Sequence, residues 1–301
     1  MAELIQGLEG TPDGATLAMA LALLSAFSHA IFGALQKWRF DPWVTRGAID
    51  GFYALGALPV ALFVVPRPEP TVWGILAGAF VIHTAYKYVL AMAYERAAYT
   101  VVYPVVRGTG PLVTVLGAWV VFGEVFTLTQ WGGVLLLSGG IFGLAAWNLA
   151  RAQVDLPALR AALALAFGTG IIVAAYTVYD AWGIRSTANP FTFLAWFFVV
   201  DGLAFPFLAM RRWRRMADRP SPGPLLARGF LGALIDYVSF GSVMLATRLD
   251  KVGEAAVLRE TSAVFAALIG WLFLKETVGP VRALLMALIA LGAVVVEFGG
   301  F

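Results

Sequence analysis

Ionisable and polar side chains set inside long apolar runs are the residues of this sequence with chemistry to perform. A charge in a membrane-spanning helix costs about 2.5–3.5 kcal/mol on insertion scales, so such groups face a cavity or a partner. His83, Lys87, Leu90 and Tyr94 fall at i, i+4, i+7 and i+11, one helix face carrying most of its segment's polar groups. Tyr99, Tyr103, Arg107, Gly110 and Thr114 form a second stripe, with Pro104, Gly108 and Pro111 loosening the backbone beside it. Further along, Val173, Tyr176 and Asp180 share a stripe, Asp236 and Ser239 mark another segment, and Arg259, Ser262 and Ala266 a third.

Two chemistries follow. Guanidinium groups bind carboxylate or phosphate in a bidentate fork, so Arg107 and Arg259 are candidates to hold an anionic or zwitterionic solute, with Tyr99, Tyr103, Tyr176, Tyr237 and Ser262 around it. The competing account neutralises each arginine with a membrane carboxylate, Asp50, Asp201 or Glu260, as helix scaffold. His83, Lys87, Asp236, Glu260 and Asp180 are candidates for proton coupling or for charge partners, since burial and neighbouring charge tune such groups. Asp180, Asp236 or Glu260 with nearby tyrosines could instead hold an organic cation, a reading that arginines in the same cavity oppose. Asp50-Gly51 and Asp201-Gly202 fit close helix contact better than ligand binding.

The elements that must position these groups are transmembrane helices. Of 301 residues 60% are hydrophobic and 13% charged, against roughly 45–50% and 25% in soluble domains. Apolar runs of membrane-crossing length cover 16–36, 43–65, 72–94, 97–122, 128–149, 157–182, 190–210, 225–247, 253–274 and 280–298. The expected fold is therefore an all-α integral membrane protein of ten transmembrane helices. Stretches such as Val113–Phe122 are apolar on every face, unlike barrel strands. The first run is read as a retained helix, because Glu3, Glu9 and Asp13 precede it without Lys or Arg. With no cysteine and two histidines, no HExxH and no GxSxG, neither a metal site, a cofactor nor an enzyme is expected. A net charge of +3 does not suit nucleic acid.

The sequence also repeats itself. Lys37-x-x-x-Asp41-Pro42 returns as Arg185-x-x-x-Asn189-Pro190, Asp50-Gly51 as Asp201-Gly202, Arg96 as Arg248, Arg107-Gly-Thr109 as Arg259-Glu-Thr261, Trp119 as Trp271 and Glu124 as Glu276. Chain order is kept throughout, which predicts two homologous halves, 1–150 and 151–301, of five helices each. Five is odd, so the halves must be inverted relative to one another, the arrangement of many secondary transporters. One face would carry Arg67, Arg185, Arg248 and Lys251. The other would carry Lys37, Arg39, Arg46, Arg96, Arg151, Arg160, the six arginines from Arg211 to Arg228, Lys275 and Arg282. The positive-inside rule makes the second face cytoplasmic and puts both termini outside.

With Tyr103-Pro104-x-x-Arg107-Gly108-Thr109-Gly110-Pro111 and the closing Gly123-Glu124, the chain resembles, over essentially its whole length, the EamA-like branch of the drug/metabolite transporter superfamily. The resemblance implies a central cavity lined by the first, third, fourth, sixth, eighth and ninth spans, alternating between faces, with the fifth and tenth peripheral. It also implies export or exchange of small metabolites, often driven by protons. The expected partners are a small solute and the lipid bilayer, with a homodimer compatible. A compact chain of this kind without targeting signals points to a bacterial inner membrane.

Overall fold

Helix starts in this chain are written in proline. The computed structural model of the protein describes residues 1–36, 40–96, 99–150, 156–274 and 279–300. Pro12, Pro42, Pro70, Pro190, Pro222 and Pro280 each open a helix, where a missing N–H costs nothing and the fixed φ is already helical. Asp41 accepts from the Trp43 and Val44 N–H groups at 3.0 and 3.1 Å, and Asn189 from Phe191 N–H at 2.9 Å. The repeated Asp/Asn-Pro pair is thus one N-cap device used once in each half.

The helices are α1 (Ala2–Leu8), α2 (Pro12–Gln36), α3 (Pro42–Phe63), α4 (Pro70–Arg96), α5 (Tyr99–Phe122), α6 (Leu128–Leu149), α7 (Leu156–Arg185), α8 (Pro190–Asp201), α9 (Ala204–Arg215), α10 (Pro222–Leu249), α11 (Val252–Arg259), α12 (Ser262–Leu274) and α13 (Pro280–Phe298). No strand occurs among the described residues. Among the described residues eight stretches are long and apolar enough to cross a membrane: 12–33, 70–96, 102–122, 128–149, 157–185, 190–215, 222–249 and 280–298. Two of the ten expected spans fall short of that standard. Arg46 and Asp50 dilute the apolar content of α3, and the ninth span is divided into α11 and α12.

The seventh span is divided as well, at Gly202–Leu203. Pro206 supplies no N–H to the carbonyl four residues back, at Gly202, so the ladder fails there. A Cβ on Gly202 would lie 2.6 Å from the Asp50 carbonyl oxygen, so this residue fits the close contact with α3 expected of it. Gly51 does not, since the nearest atom to its would-be Cβ is 3.9 Å away. At the second break, Thr261 N–H and Oγ1 both donate to the Leu258 carbonyl, at 3.1 and 2.7 Å, a local bond that competes with the helix. The matching positions of the first half, Asp50–Gly51 and Gly108–Thr109, lie inside unbroken helices.

Packing is symmetric under exchange of the halves. α2 lies on α10 as α7 lies on α4, α5 on α7 as α11 and α12 on α2, and α3 on α10 as α8 on α4. α3 with α8 and α9, and α6 with α13, pair across the halves. Lipid offers helices no hydrophobic reward for association, so small residues at the seams let backbones approach. Ala18, Ala22, Ala26 and Ala30, spaced by four, are all buried along α2, and the first two cluster with Ala246 and Leu249 of α10.

Ion pairs gather the loops into two sets. At one end Arg248 meets Glu9 at 2.7 Å, Arg185 meets Glu124 at 3.4 Å and Lys251 meets Glu254 at 2.7 Å. At the other Arg212 meets Asp41 and Glu95, each at 2.8 Å. Arg185, Arg248 and Lys251 thus fall together and Arg212 falls apart from them, as the expected grouping has it, while one charge departs from it. Arg46, counted there as a loop charge, lies inside the bundle because α3 begins at Pro42 and buried carboxylates receive its guanidinium. Lys37, Trp38, Arg39, Arg151, Lys275 and Glu276 lie outside the described residues.

Candidate solute cavity

The polar stripes converge on a cavity of about 300 Å³ between the two halves. His83, Lys87, Leu90 and Tyr94 of α4 all line it, as do Tyr103 and Arg107 of α5, Val173 and Tyr176 of α7, Asp236 and Phe240 of α10 and Arg259 of α11. α6 and α13 contribute no lining residue, as expected of peripheral helices. Two walls, from α3 and α8, were not anticipated, and neither was His29 on α2, a helix that was expected to line the cavity. α3 forms a wall through Thr45, Arg46, Ile49 and Tyr53, α8 brings in Asp201, and α2 places His29 beside Tyr103, with ring centroids 6.2 Å apart. The signal for His29 was present, since it stands 151 positions before Asp180, the spacing that relates Asp50 to Asp201. Phe40 and Pro42 line the cavity on the side of Asp41, so it reaches toward the arginine-rich face.

On one side stand the arginines. Arg107 Nη1 bonds Glu260 Oε1 at 2.9 Å, Nη2 donates to Ser262 at 3.3 Å and Nε to the Tyr103 hydroxyl at 3.2 Å. Glu260 sits at the break between α11 and α12, which turns its carboxylate to α5. Ser262 thus supports Arg107 and is not itself among the lining residues. Arg259 differs. Its guanidinium carbon lies 5.2 Å above the Phe240 ring, and its buried Nε has no hydrogen-bond partner among the described residues.

On the other side runs a chain of charges. Asp236 is 3.3 Å from Arg46, Arg46 is 2.7 Å from Asp50, and Asp50 is 2.7 Å from Lys87. Lys87 is 2.9 Å from Asp201, Asp201 is 3.7 Å from His83 Nδ1, and His83 Nε2 is 2.8 Å from Asp180. Asp50 and Asp201, the repeat-related pair, therefore meet through one lysine, whose equivalent position in the second half carries no cation. Between the halves these buried pairs share a polarity. Arg46, His83, Lys87 and Arg107 come from the first half, and Asp236, Asp180, Asp201 and Glu260 from the second. Asp180 is behind His83 and does not line the cavity. Tyr237 faces α3, stacked on Tyr53 with centroids 5.1 Å apart and donating to its carbonyl, and is not a lining residue either. The side chain of Tyr99 lies outside the described residues.

An all-helical bundle with membrane-length apolar helices and a charged cavity shared by two halves is the architecture of a multi-pass membrane protein. The family model of the EamA-like transporter family matches residues 16–146 and again 160–298. The chain belongs to that family of membrane transporters of small solutes, and carries its domain twice. A solved structure titled "Crystal structure of protein" has the same fold, with a TM-score of 0.75 over 96% of this chain and 98% of that one, at 18% identity. No curated protein matches the chain.

Proposed function

We propose that the protein is a secondary active transporter that moves a small zwitterionic or anionic metabolite, such as an amino acid, by alternating access. The observation that carries this reading is Arg259. A guanidinium with a buried, unpartnered Nε on the wall of a cavity is expensive unless a ligand completes it, and carboxylate is the group its fork fits. Arg107, already paired with Glu260, is then the positioning neighbour, and Tyr103 and Tyr176 enclose the solute's body. An ammonium group on the same solute finds Asp201 and Asp236 on the other side.

In this reading the ten helical stretches are ten spans, in two five-helix repeats, 1–150 and 151–301, inverted about an axis in the membrane plane. The symmetric packing of the halves supports it. Loop charge supports a cytoplasmic arginine-rich face with both termini outside, so that the cavity opens inward. A proton is the proposed coupling ion, carried within the set His83, Lys87, Asp180, Asp236 and Glu260. The four buried aspartates among the described residues favour one rival, an organic-cation exporter.

Thermal unfolding of the purified protein with amino acids, carboxylates, phosphorylated metabolites and quaternary amines separates the two. Binding to the native state raises Tm in proportion to RT ln(1 + [L]/Kd). An amino acid or carboxylate is expected to stabilise the wild type and to lose that effect in Arg259→Ala. Stabilisation by quaternary amines alone, unchanged in Arg259→Ala, would establish the rival.

A further inference from the structure

His83 stands between two carboxylates and is enclosed by aromatic rings. Nε2 is 2.8 Å from Asp180 of α7 and Nδ1 is 3.7 Å from Asp201 of α8. Aromatic rings pack about it, Tyr176 at 4.4 Å, Phe197 at 5.0 Å and Phe240 at 5.5 Å between centroids. A neutral imidazole has one N–H and one lone pair, so with both nitrogens facing carboxylates only the doubly protonated ring is attracted on both sides. The surrounding charge points the same way. Within this run of ion pairs Asp50, Asp180, Asp201 and Asp236 stand against Arg46 and Lys87, and with Arg259 on the same cavity wall counted as well the carboxylates still exceed these permanent cations by one. Buried charge of that excess demands compensation, and the second proton of His83 supplies one unit of it.

The two sides of the ring differ in access. Asp180 does not line the cavity, whereas His83 and Asp201 do, so the Nδ1 proton is the one that faces the solute space. We propose that His83 is the proton-coupling group of this transporter, its Nδ1 proton leaving when the cationic end of a solute takes its place beside Asp201. The proposal rests on the transporter reading above. Charge balances in the step: the imidazolium loses one positive charge to water in the open cavity, the solute's ammonium restores it, and the Nε2–H bond to Asp180 persists. A solute without a cationic group leaves the proton where it is. Lys87 on the same helix holds the same Asp201 oxygen at 2.9 Å, and Tyr86 of that helix, Asp50 and Arg46 of α3 and Arg259 of α11 complete the charged and titratable surroundings.

The chain has only two histidines, so ¹⁵N-histidine labelling of full-length His29→Gln protein in nanodiscs leaves His83 as the sole reporter. Without solute both ring nitrogens are expected to carry protons, and Asp201→Asn is expected to remove the one on Nδ1 while Nε2–H remains. A singly protonated ring in the His29→Gln protein, or a ring indifferent to Asp201→Asn, would overturn the proposal. L-leucine, isoamylamine and 4-methylvalerate then separate the solute's two ends in a weakly buffered dye assay. About one proton is expected to be released per molecule of leucine or isoamylamine bound, none for 4-methylvalerate, and none per molecule bound in His83→Gln. Leucine or isoamylamine binding without proton release would also overturn it. If none of the three binds, the proposed solute class fails, and the labelling result alone decides the role of His83.

Discussion

The pair between Arg107 and Glu260 offers the sharpest test of how the cavity is built. The two side chains are 6% and 5% exposed, and Nη1 and Oε1 are 2.9 Å apart. At an effective dielectric of about 20 their attraction is about 6 kcal/mol, most of which offsets the cost of taking both charges out of water. Glu260→Gln keeps the shape of the side chain but leaves the Arg107 cation without its carboxylate. Breaking such a pair costs about 3–5 kcal/mol, and Arg107→Met should cost a similar amount. The double variant Arg107→Met/Glu260→Leu leaves no stranded charge and should return to within about 2 kcal/mol of wild type. At roughly 2–4 °C per kcal/mol, Glu260→Gln is expected to lower Tm by about 10 °C. The ten tryptophans provide an intrinsic fluorescence signal for unfolding in detergent or nanodiscs. A loss under about 1 kcal/mol in Glu260→Gln, with simple additivity in the double variant, would refute the reasoning. The pair would then be hydrated, and Arg107 as open to solute as Arg259.

Other predictions follow from the same geometry. Gly132 and Gly133 are neighbours on α6, yet a Cβ on Gly132 meets nothing within 4 Å while one on Gly133 lies 2.8 Å from the Gly292 carbonyl of α13. Gly133→Ala should therefore lower stability by about 1–3 kcal/mol in thermal unfolding, with Gly132→Ala neutral or slightly stabilising. Glu124 accepts from Val252 N–H at 2.8 Å and Gly253 N–H at 3.1 Å, so Glu124→Ala strands two donors at the start of α11 and should cost about 2–4 kcal/mol, Glu124→Gln less. Native cysteine is absent, so single cysteines report sidedness without background. Ala2→Cys should react with impermeant thiol reagents in intact cells, and Thr45→Cys on the cavity wall only from the arginine-rich face. Protection of Ala2→Cys would reverse the proposed orientation.

Hydropathy and repetition made much of this legible in the sequence, because both are local. A run of about 20 apolar residues declares a span wherever it lies, and the Asp41-Pro42 and Asn189-Pro190 pairs declare helix starts by their own chemistry. Helical periodicity put His83, Lys87, Leu90 and Tyr94 on one face, and all four line the cavity. The two divided helices were not read from the sequence: Pro206 marks the first, but Pro59, Pro104 and Pro111 stand inside unbroken helices, so a proline alone does not say where a ladder is interrupted. Arg46, four residues into α3, read as a loop charge because only its carboxylate partners, Asp50 and Asp236, draw it inward.

Charge pairing was decided by tertiary structure alone. Glu260, Asp50 and Asp201 all stood as counter-ions for the arginines on sequence grounds. The fold gives Glu260 to Arg107, joins both aspartates through Lys87, and leaves Arg259 over Phe240. The partners are separated by 37 to 153 residues, and no local pattern ranks one carboxylate above another across such distances. What ranks them is which helix faces approach within the few ångströms at which buried charges compensate each other, and that distance exists only once both halves have packed.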